Sequence, residues 1–385
     1  MNRFRFSNQT LQHFHYRFFS FLIIPFSFII LCLACSRKSD PMPRGIDAVY
    51  VGSSDDKFYA IHAKTGEKLW EFKAKAAVHS SPVLANGLVI VGSSDENIYA
   101  LDLKTGQTAW AFALDMRISS APMVVDGTVY VGMGITPLFT SKLYALDLVT
   151  GTKKWEFSAD GNSISSPTVV ANRVYVGGFT KLYALNNRSG EVLWTASTGT
   201  GVDSSPAVAG GIVYVGSNDN NFYAFDAQTG EKKWSFATQS AVSSSPTVVG
   251  STVYVGSLDR RVYALNAQNG NKLWEFRTNG GVISSPIVVN NVLYIGSSDG
   301  RLYALNTQNG NKVWEFATGG PIQSSPVATD SLVYVGSNDS RLYALDNQTG
   351  VKKWEFRTGG SVFSSPAVLT ANGKAYHSGV SGMQQ

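Results

Sequence analysis

Eight tryptophans recur along the chain at a nearly constant interval, and this repeat constrains the fold more than any other feature. They stand at positions 70, 110, 155, 194, 234, 274, 314 and 354. The steps between them are 40, 45, 39, 40, 40, 40 and 40 residues. A fixed period of this length is typical of solenoids and propellers, in which each repeat forms one small structural unit.

Each repeat contains four short segments with the character of β-strands. In one repeat they read "ISSPIVV", "STVYVGS", "RRVYALNA" and "NKLWEF", all rich in β-branched and aromatic residues. Turn residues such as Asp, Asn-Gly and Thr-Gly separate them. A helical repeat is excluded because glycine and β-branched residues fall where helix interiors would lie. The pattern predicts an all-β fold: an eight-bladed β-propeller of four-stranded antiparallel blades.

The two ends of the repeat region predict how the ring closes. The first repeat begins at "DAVYVGSSDD" and lacks a Ser-Ser-Pro strand, whereas the last Ser-Ser-Pro strand, Phe363–Leu369, has no tryptophan strand after it. Pairing of these N- and C-terminal strands would complete the eighth blade and remove two open sheet edges. The segment that follows, "KAYHSGV" (374–380), resembles the start of a ninth repeat, which either overlays the first blade or lies free.

A second pattern connects the third and fourth strands of each repeat. The order Ala-x-Asp/Asn-x-x-Thr/Ser/Asn-Gly-x-x-x-Trp recurs, as in "ALDLKTGQTAW" and "ALDNQTGVKKW", and no tryptophan is followed by Asp as in WD repeats. This resembles the tryptophan-docking motif of the quinoprotein (PQQ-like) β-propellers over residues ~47–379. The resemblance implies that each indole packs against the next blade. The blade-docking residues are then Trp70, Trp110, Trp155, Trp194, Trp234, Trp274, Trp314 and Trp354.

The first 34 residues are typical of a secretory signal. Three arginines, Arg3, Arg5 and Arg17, precede an uncharged, mostly apolar run of 17 residues, 18–34. The alternative is an uncleaved transmembrane anchor, which would need about 20 apolar residues and no proline such as Pro25 in the middle.

The end of this segment resembles the lipobox of bacterial lipoproteins. The sequence "LCLACSRKSD" places a small residue, Ala34, directly before Cys35. The resemblance implies lipidation of Cys35, and Ser36 after it favours the outer membrane, facing the periplasm or the cell surface. We therefore divide the chain into a lipoprotein signal peptide (1–34), a polar spacer (35–46), the propeller (47–370) and a C-terminal tail (371–385).

The cysteine content and the net charge exclude several classes of function. Both cysteines, Cys32 and Cys35, lie at the junction of the leader and the spacer, so the body that follows contains no disulfide and no cysteine nucleophile or metal ligand. Without the three arginines of the leader, the chain has 29 basic and 27 acidic residues. This small positive charge removes the support for nucleic-acid binding.

Charged residues recur at two positions of the repeat. An aspartate after "VGSx" is read as a cap on a hairpin turn rather than as part of a cation-binding ring. Two residues later come basic side chains that form a candidate collar for an acidic partner or pair locally with the preceding aspartate. The aspartates are Asp55, Asp95, Asp219, Asp259, Asp299 and Asp339, and the basic residues are Lys57, Lys142, Lys181, Arg261, Arg301 and Arg341.

Three places break the repeat or imitate a motif. The residue before each Ser-Ser pair varies, which makes His79, Asp203 and Gln323 candidates for a ligand at the channel mouth. The third repeat is longer, and its Ile135, Leu138 and Phe139 either fold back over the channel or contact a partner. "GSSDG" (296–300) imitates a Gly-x-Ser-x-Gly nucleophile elbow but aligns with hairpins in the other repeats, so we read it as a hairpin.

These observations favour a non-enzymatic protein with neither cofactor nor metal. Quinoprotein dehydrogenases hold PQQ, calcium and an adjacent-cysteine disulfide, and this sequence lacks the cysteine pair and a spare tryptophan. The chain also resembles the eight-bladed lipoproteins of the outer-membrane β-barrel assembly (BAM) machinery. That resemblance implies a lipid-anchored scaffold for a protein partner in the envelope, with the barrel-assembly machinery as the candidate. The alternatives are a PQQ-dependent dehydrogenase-like propeller and a propeller that binds a glycan or small ligand.

Overall fold

Short β-strands make up nearly all regular structure in the computed structural model, which describes residues 42–133, 140–161 and 164–377. These residues belong to one unit, Ser39–Gln385. Cys35 and the insertion residues Ile135, Leu138 and Phe139 lie outside the described residues. Within the described ranges, no helix has the length and hydropathy needed to cross a bilayer.

The strands form eight antiparallel sheets, each of which is one blade. Blade 1 contains β1 (Ala48–Gly52), β2 (Lys57–His62) and β3 (Lys68–Lys73), together with two strands from the end of the chain, β32 (Ala367–Leu369) and β33 (Ala375–His377). Blade 2 contains β4 (Val83–Ala85), β5 (Leu88–Gly92), β6 (Asn97–Asp102) and β7 (Thr108–Ala113). Blade 3 contains β8 (Met123–Val125), β9 (Thr128–Met133), β10 (Thr140–Asp147) and β11 (Lys153–Asp160). Blade 4 contains β12 (Thr168–Val170), β13 (Arg173–Gly177), β14 (Lys181–Asn186) and β15 (Val192–Ser197).

The second half of the ring repeats the same arrangement. Blade 5 contains β16 (Ala207–Ala209), β17 (Ile212–Gly216), β18 (Asn221–Asp226) and β19 (Lys232–Ala237). Blade 6 contains β20 (Thr247–Val249), β21 (Thr252–Ser257), β22 (Arg261–Asn266) and β23 (Lys272–Arg277). Blade 7 contains β24 (Ile287–Val289), β25 (Val292–Gly296), β26 (Arg301–Asn306) and β27 (Lys312–Ala317). Blade 8 contains β28 (Val327–Ala328), β29 (Leu332–Ser337), β30 (Arg341–Asp346) and β31 (Lys352–Arg357). The predicted eight-bladed propeller is confirmed.

Burial within a blade follows the residue pattern of its strands. The second and third strands are covered on both faces by neighbouring blades, and in β21 every residue from Val253 to Ser257 is buried. The fourth strand alternates between buried and exposed positions, as in β23, where Trp274 is buried while Leu273 and Glu275 are exposed. The first strands of neighbouring blades contact one another, so they surround the central axis.

The repeated Ser-Ser pairs join these first strands. The hydroxyl of the first serine donates to a backbone carbonyl of the next blade, as Ser244 does to Ser284 at 2.9 Å. The hydroxyl of the second serine accepts an N–H from the preceding blade, as Ser285 does from Ser245 at 3.0 Å. Because both atoms are at least partly buried, these bonds satisfy polar groups that solvent does not fully reach.

Closure of the ring occurs in blade 1, as predicted. β1 pairs in antiparallel fashion with β32, with Ala48 opposite Leu369, Val49 opposite Val368 and Tyr50 opposite Ala367. The N-terminal strand thus occupies the place that the second strand of a repeat holds in the other blades.

The beginning of the ninth repeat adds a fifth strand to this blade, unlike the four strands found in the other seven. Since β1 already occupies the outer edge of β32, the residues after β32 turn back and pair with its opposite edge. In β33, Ala375 lies opposite Leu369 and His377 opposite Ala367. β33 also contacts β28, the first strand of blade 8, and so lies on the axis side of blade 1.

Candidate functional site

The tryptophans lie in the fourth strands and contact the following blade. The Trp274 ring packs over Gly310, where a Cβ atom would lie 2.7 Å from the indole. Gly310 has a φ of +74°, which glycine adopts without strain. The Trp274 Nε1–H donates to the Thr307 carbonyl oxygen at 2.9 Å, and the Tyr254 hydroxyl donates to the same oxygen at 3.2 Å. One turn of blade 7 therefore receives two aromatic side chains from blade 6.

Every tryptophan of the chain makes the equivalent hydrogen bond to the next blade. The donor and acceptor residues are Trp70 and Leu103, Trp110 and Leu148, Trp155 and Asn187, Trp194 and Ala227, Trp234 and Ala267, Trp274 and Thr307, Trp314 and Asn347, and Trp354 and Ala63. All eight indoles are engaged in joining blades.

The recurring hairpin aspartates also join blades. Asp299 accepts the Tyr303 hydroxyl at 2.8 Å, the Arg301 N–H at 3.0 Å and, from the preceding blade, the Asn279 N–H at 2.9 Å. "GSSDG" (296–300) lies in this hairpin between β25 and β26, as predicted. The aspartate is therefore both a turn cap and a connection to the neighbouring blade.

The equivalent aspartate of blade 2 illustrates the electrostatics of this position. Burial acts to raise the pKa of Asp95, but hydrogen bonds outweigh it. The donors are the Lys75 N–H, the Tyr99 hydroxyl and the Asn97 amide groups, and together they hold the pKa of Asp95 below its usual value. The carboxylate is thus kept ionised for its structural partners.

Blades 3 and 4 lack this hairpin aspartate, and an aspartate from the loop or strand of the preceding blade accepts the tyrosine hydroxyl instead. The Tyr144 hydroxyl donates to Asp115 at 3.1 Å, and the Tyr183 hydroxyl donates to Asp160. Both aspartates precede their Ser-Ser segment rather than following "VGSx". Sequence reasoning missed these replacements, although the absence of the hairpin aspartate in two adjacent repeats is a signal for them.

Replacing Asp299 with alanine should lower the free energy of unfolding by about 1–3 kcal/mol, because several partly buried donors lose their acceptor. Urea denaturation followed by tryptophan fluorescence measures the change. Glu315→Ala is the matched control, since Glu315 forms only exposed ion pairs with Arg301 and Lys312 and should cost less than about 1 kcal/mol. Equal losses for the two variants would contradict the structural role of Asp299.

Most members of the proposed basic collar are neutralised in the structure. Their principal partners are carboxylates on the fourth strand or in a loop rather than the preceding aspartate. The ion pairs are Lys57–Glu71 at 2.8 Å, Lys142–Asp115 at 2.8 Å, Arg261–Glu275 at 3.4 Å, Arg301–Glu315 at 3.4 Å and Arg341–Glu355 at 3.2 Å. The preceding aspartate reaches only 4.0 Å from Arg261 and from Arg341. The expected pairing with that aspartate is therefore secondary.

Lys181 differs from the rest of the collar. The position that carries glutamate after most tryptophans is Thr195 in blade 4. Across the described parts of the chain, Lys181 forms no ion pair. Phe179, two residues before Lys181 in the same hairpin, is 47% exposed, so blade 4 offers a cation close in sequence to an exposed aromatic side chain.

A cleft of about 720 Å³ opens on the hairpin face between blades 3, 4 and 5. Its lining residues are Ser119, Ser120, Ile164, Ser165, Ser166, Phe179, Thr200, Gly201, Asp203 and Asn218. The hairpin of blade 4 (177–181) is one residue shorter than that of blade 5 (216–221), and its Gly178 replaces the buried serine found at Ser217. Of the proposed ligand residues, Asp203 lines this cleft.

The structure does not bring His79 and Gln323 to the same place. His79 precedes β4 in blade 2, where its ring nitrogen lies 2.9 Å from the Ser54 hydroxyl and its ring contacts Phe363 edge-on. Burial lowers the pKa of His79, which favours the neutral ring. Gln323 precedes β28 in blade 8. Phe179, Thr200 and Asn218 were missed from sequence, although the 39-residue step to Trp194 marks the shortened repeat.

The residues present do not fit the PQQ and calcium that the family resemblance implies. The indoles that would stack on a planar quinone are held between blades. Across residues 42–133, 140–161 and 164–377, no group of three or more His, Cys, Asp or Glu side chains is arranged to hold a metal ion. We therefore assign no step to either group.

Comparison with known proteins places this architecture among its relatives. The family described as "Beta-alanine-activating enzyme, beta-propeller" matches residues 165–379, more than half of the chain. The family described as "Outer membrane protein assembly factor BamB" matches residues 37–180. No curated protein matches the sequence.

Three solved structures resemble the chain in fold. BamB from Moraxella catarrhalis is 21% identical, with a TM-score of 0.64, covering 83% of this chain and 94% of that one. The computationally designed Ika8 protein is 16% identical, with a TM-score of 0.66, covering 83% and 98%. Quinohemoprotein alcohol dehydrogenase from Comamonas testosteroni is 16% identical, with a TM-score of 0.62, covering 90% and 76%. From the repeated tryptophan docking and these matches, we conclude that the chain belongs to the PQQ-like β-propeller family, within the group described by the propeller of the β-alanine-activating enzyme.

Proposed function

We propose that the protein is a non-catalytic, lipid-anchored scaffold of the bacterial cell envelope that binds a protein partner in outer-membrane protein assembly. The anchor in this proposal is Cys35, placed at the outer membrane. The family match to the assembly factor BamB supports this role, and its residues 37–180 span most of the polar spacer, the N-terminal strands of blade 1, blades 2 and 3 and the start of blade 4.

The observation that carries the proposal is the contrast between blades 3 and 4 and the rest of the ring. The tryptophans join blades throughout the ring, and the repeated basic side chains of blades 1, 3, 6, 7 and 8 are paired with carboxylates. Blade 3 carries the insertion 134–139. In blade 4, Lys181 has no ion-pair partner in the described structure, and Phe179 of the same hairpin is 47% exposed. A partner with an acidic edge and an apolar patch complements this surface.

Photo-crosslinking in intact cells tests the partner. A photoreactive residue is placed at position 139 or 181, with position 313 as the control, since Val313 is 50% exposed on the fourth strand of blade 7. We expect positions 139 and 181 to capture a component of the barrel-assembly machinery and position 313 not to do so. Capture of no such component from either position would reject the assembly role.

The alternative, a PQQ-dependent dehydrogenase, has one observation in its favour: the likeness in fold to quinohemoprotein alcohol dehydrogenase. Mixing the purified protein with PQQ and Ca²⁺, followed by gel filtration, distinguishes the two. Under the scaffold proposal, no quinone absorbance elutes with the protein. Stoichiometric co-elution, together with alcohol-dependent dye reduction, would favour the dehydrogenase.

A further inference from the structure

The fourth strand of each blade is the outer edge of its sheet, and the edge of blade 4 differs from the others. An edge strand presents unpaired backbone N–H and C=O groups, which proteins protect with charged side chains, above all lysine. We propose that β15, the outer edge of blade 4, binds an extended acidic segment of a protein partner as a fifth strand. The inference rests on the scaffold function and adds the form in which the partner binds.

Lysine is the first residue of the fourth strand in six of the eight blades. These residues are Lys68, Lys153, Lys232, Lys272, Lys312 and Lys352. Blades 2 and 4 carry Thr108 and Val192 at that position, and neither β7 nor β15 contains a charged residue. The two edges without charge therefore lie on either side of blade 3.

The register between β14 and β15 shows which backbone groups face outward. The Thr198 N–H donates to the Thr180 carbonyl oxygen at 3.1 Å, and the next pair along the ladder is Ser197 opposite Lys181. Because hydrogen-bonded and non-hydrogen-bonded pairs alternate in an antiparallel ladder, Ser197 and Thr195 belong to non-hydrogen-bonded pairs. Their N–H and C=O groups point away from β14, and both residues are exposed. An added strand would meet two donors and two acceptors here.

Lys181 supplies the charge that selects the segment. In blade 7 the residue after the tryptophan is Glu315, which pairs with Arg301 on the third strand at 3.4 Å. Thr195 takes the position of that glutamate in blade 4. Within the described residues Lys181 forms no ion pair. Blade 4 thus keeps the cation of the repeat and lacks its usual carboxylate.

A carboxylate on the added strand would fall on the same side of the sheet as this cation. Directly opposed residues of an antiparallel pair project to one face, so Lys181 and Ser197 share a face. A residue that pairs with Ser197 from the other side also projects to that face. Asp160, at the end of β11, instead accepts the hydroxyls of Tyr183 and Thr180.

The other end of β15 indicates the rest of the segment. Val192 and Leu193 are 47% and 46% exposed, and they lie at the end of the strand away from Lys181. A segment with apolar residues at one end and acidic residues at the other complements the whole edge.

Blade 2 shows why an uncharged edge alone does not select an acidic segment. The position of Lys181 is Asn97 in that blade, and its side-chain amide donates to the Asp95 carbonyl oxygen at 2.9 Å. The edge of blade 2 therefore offers backbone groups without a cation.

Fluorescence anisotropy with a labelled peptide tests the proposal on the purified protein. The probe is a blocked peptide of about eight residues, the length of a long strand. Val and Ile fill one half, and Glu alternates with Thr in the other. We expect this peptide to bind, and a peptide with Lys in place of Glu to bind at least about 10-fold more weakly.

Thr195→Glu restores the residue that blades 1, 3, 6, 7 and 8 carry, so the variant should fold. Its carboxylate would pair with Lys181 and repel the segment, which should weaken binding of the Glu peptide by about 10-fold or more. Ser235→Glu, at the same strand position in blade 5, is the matched control and should bind the peptide as the unmodified protein does. Circular dichroism and the melting temperature establish that both variants are folded.

Amide hydrogen exchange, resolved by residue with NMR, examines the backbone directly. Binding of the Glu peptide should slow exchange at Thr195 and Ser197, whose N–H groups point outward, and leave Ser235 unchanged. The proposal is wrong if the Glu peptide does not bind, if both peptides bind equally, if Thr195→Glu binds normally, or if exchange at Thr195 is not slowed. A dimer that Thr195→Glu converts into a monomer would identify a second copy of this chain as the occupant and would also overturn it.

These measurements fail separately from the scaffold function. Crosslinking of a barrel-assembly component in cells without peptide binding would leave the scaffold role and reject the added strand. Peptide binding at β15 without such a crosslink would support the edge site and reject the assembly role.

Discussion

Replacing Trp274 with alanine should lower the free energy of unfolding by about 3–5 kcal/mol, the usual cost of truncating a large buried aromatic side chain. The indole is 9% exposed, covers Gly310 and donates to the Thr307 carbonyl of blade 7. Its loss leaves a cavity between blades 6 and 7 and removes one of the two donors to that carbonyl. Urea denaturation followed by circular dichroism measures the effect.

Leu273→Ala is the matched control for this prediction. Leu273 precedes Trp274 in β23 but points to the other side of the strand and is 53% exposed. Surface substitutions of this kind usually change stability by no more than about 0.5 kcal/mol. Similar losses for the two variants would show that the tryptophan does not join the blades in the way described.

Ending the chain after Gly360 should abolish cooperative folding. The truncation removes β32, which is the first strand of blade 1 and pairs with β1. It also removes Val368 and Leu369, both fully buried, and leaves the edge of β1 unpaired. The expected loss exceeds about 5 kcal/mol, which is comparable to the whole stability of many domains. We expect aggregation and no single unfolding transition in a thermal scan.

Ending the chain after Thr370 provides the control, because it removes β33 and keeps β32. The chain that ends after Thr370 retains the pairing of Ala48 with Leu369. It should unfold in one transition at a temperature moderately below that of the full chain, because it has lost only β33. A cooperative transition in the chain that ends at Gly360 would mean that β32 is not required for closure.

The sequence predicts the propeller well because each repeat encodes the same local chemistry eight times. The Thr-Gly or Asn-Gly turn positions a tryptophan such as Trp314, and the glycine of the next repeat accommodates its ring. Closure of the ring is also predictable, because the first repeat lacks its Ser-Ser-Pro strand and the end of the chain supplies an extra one. The tryptophan contact is predictable from a short segment because its partner stands at a fixed position in the next repeat.

Features that depend on competition or on distant partners were harder to predict. "KAYHSGV" (374–380) reads as a second strand of a blade, but β1 already holds that place, so β33 forms on the axis side of β32 instead. The spacing within one hairpin predicts that each basic residue of the collar pairs with the aspartate two residues before it. The main partner of Arg341 is instead Glu355, which lies on the adjacent strand. The cleft arises from a shortened hairpin that brings Phe179 near Asn218 from another blade, and no single motif contains both.

The central claim is that partner binding resides in blades 3 and 4 and not in the regular blades. Charge reversal tests it most directly, by quantitative recovery of the barrel-assembly protein with tagged propeller. Lys181→Glu reverses a cation that has no ion-pair partner in the described structure, whereas Lys57→Glu reverses one that is paired with Glu71 in blade 1. The account predicts that Lys181→Glu reduces recovery by about 10-fold or more, the effect typical of an interfacial charge, and that Lys57→Glu leaves it unchanged. Equal recovery with Lys181→Glu and the unmodified protein, or loss only with Lys57→Glu, would contradict it.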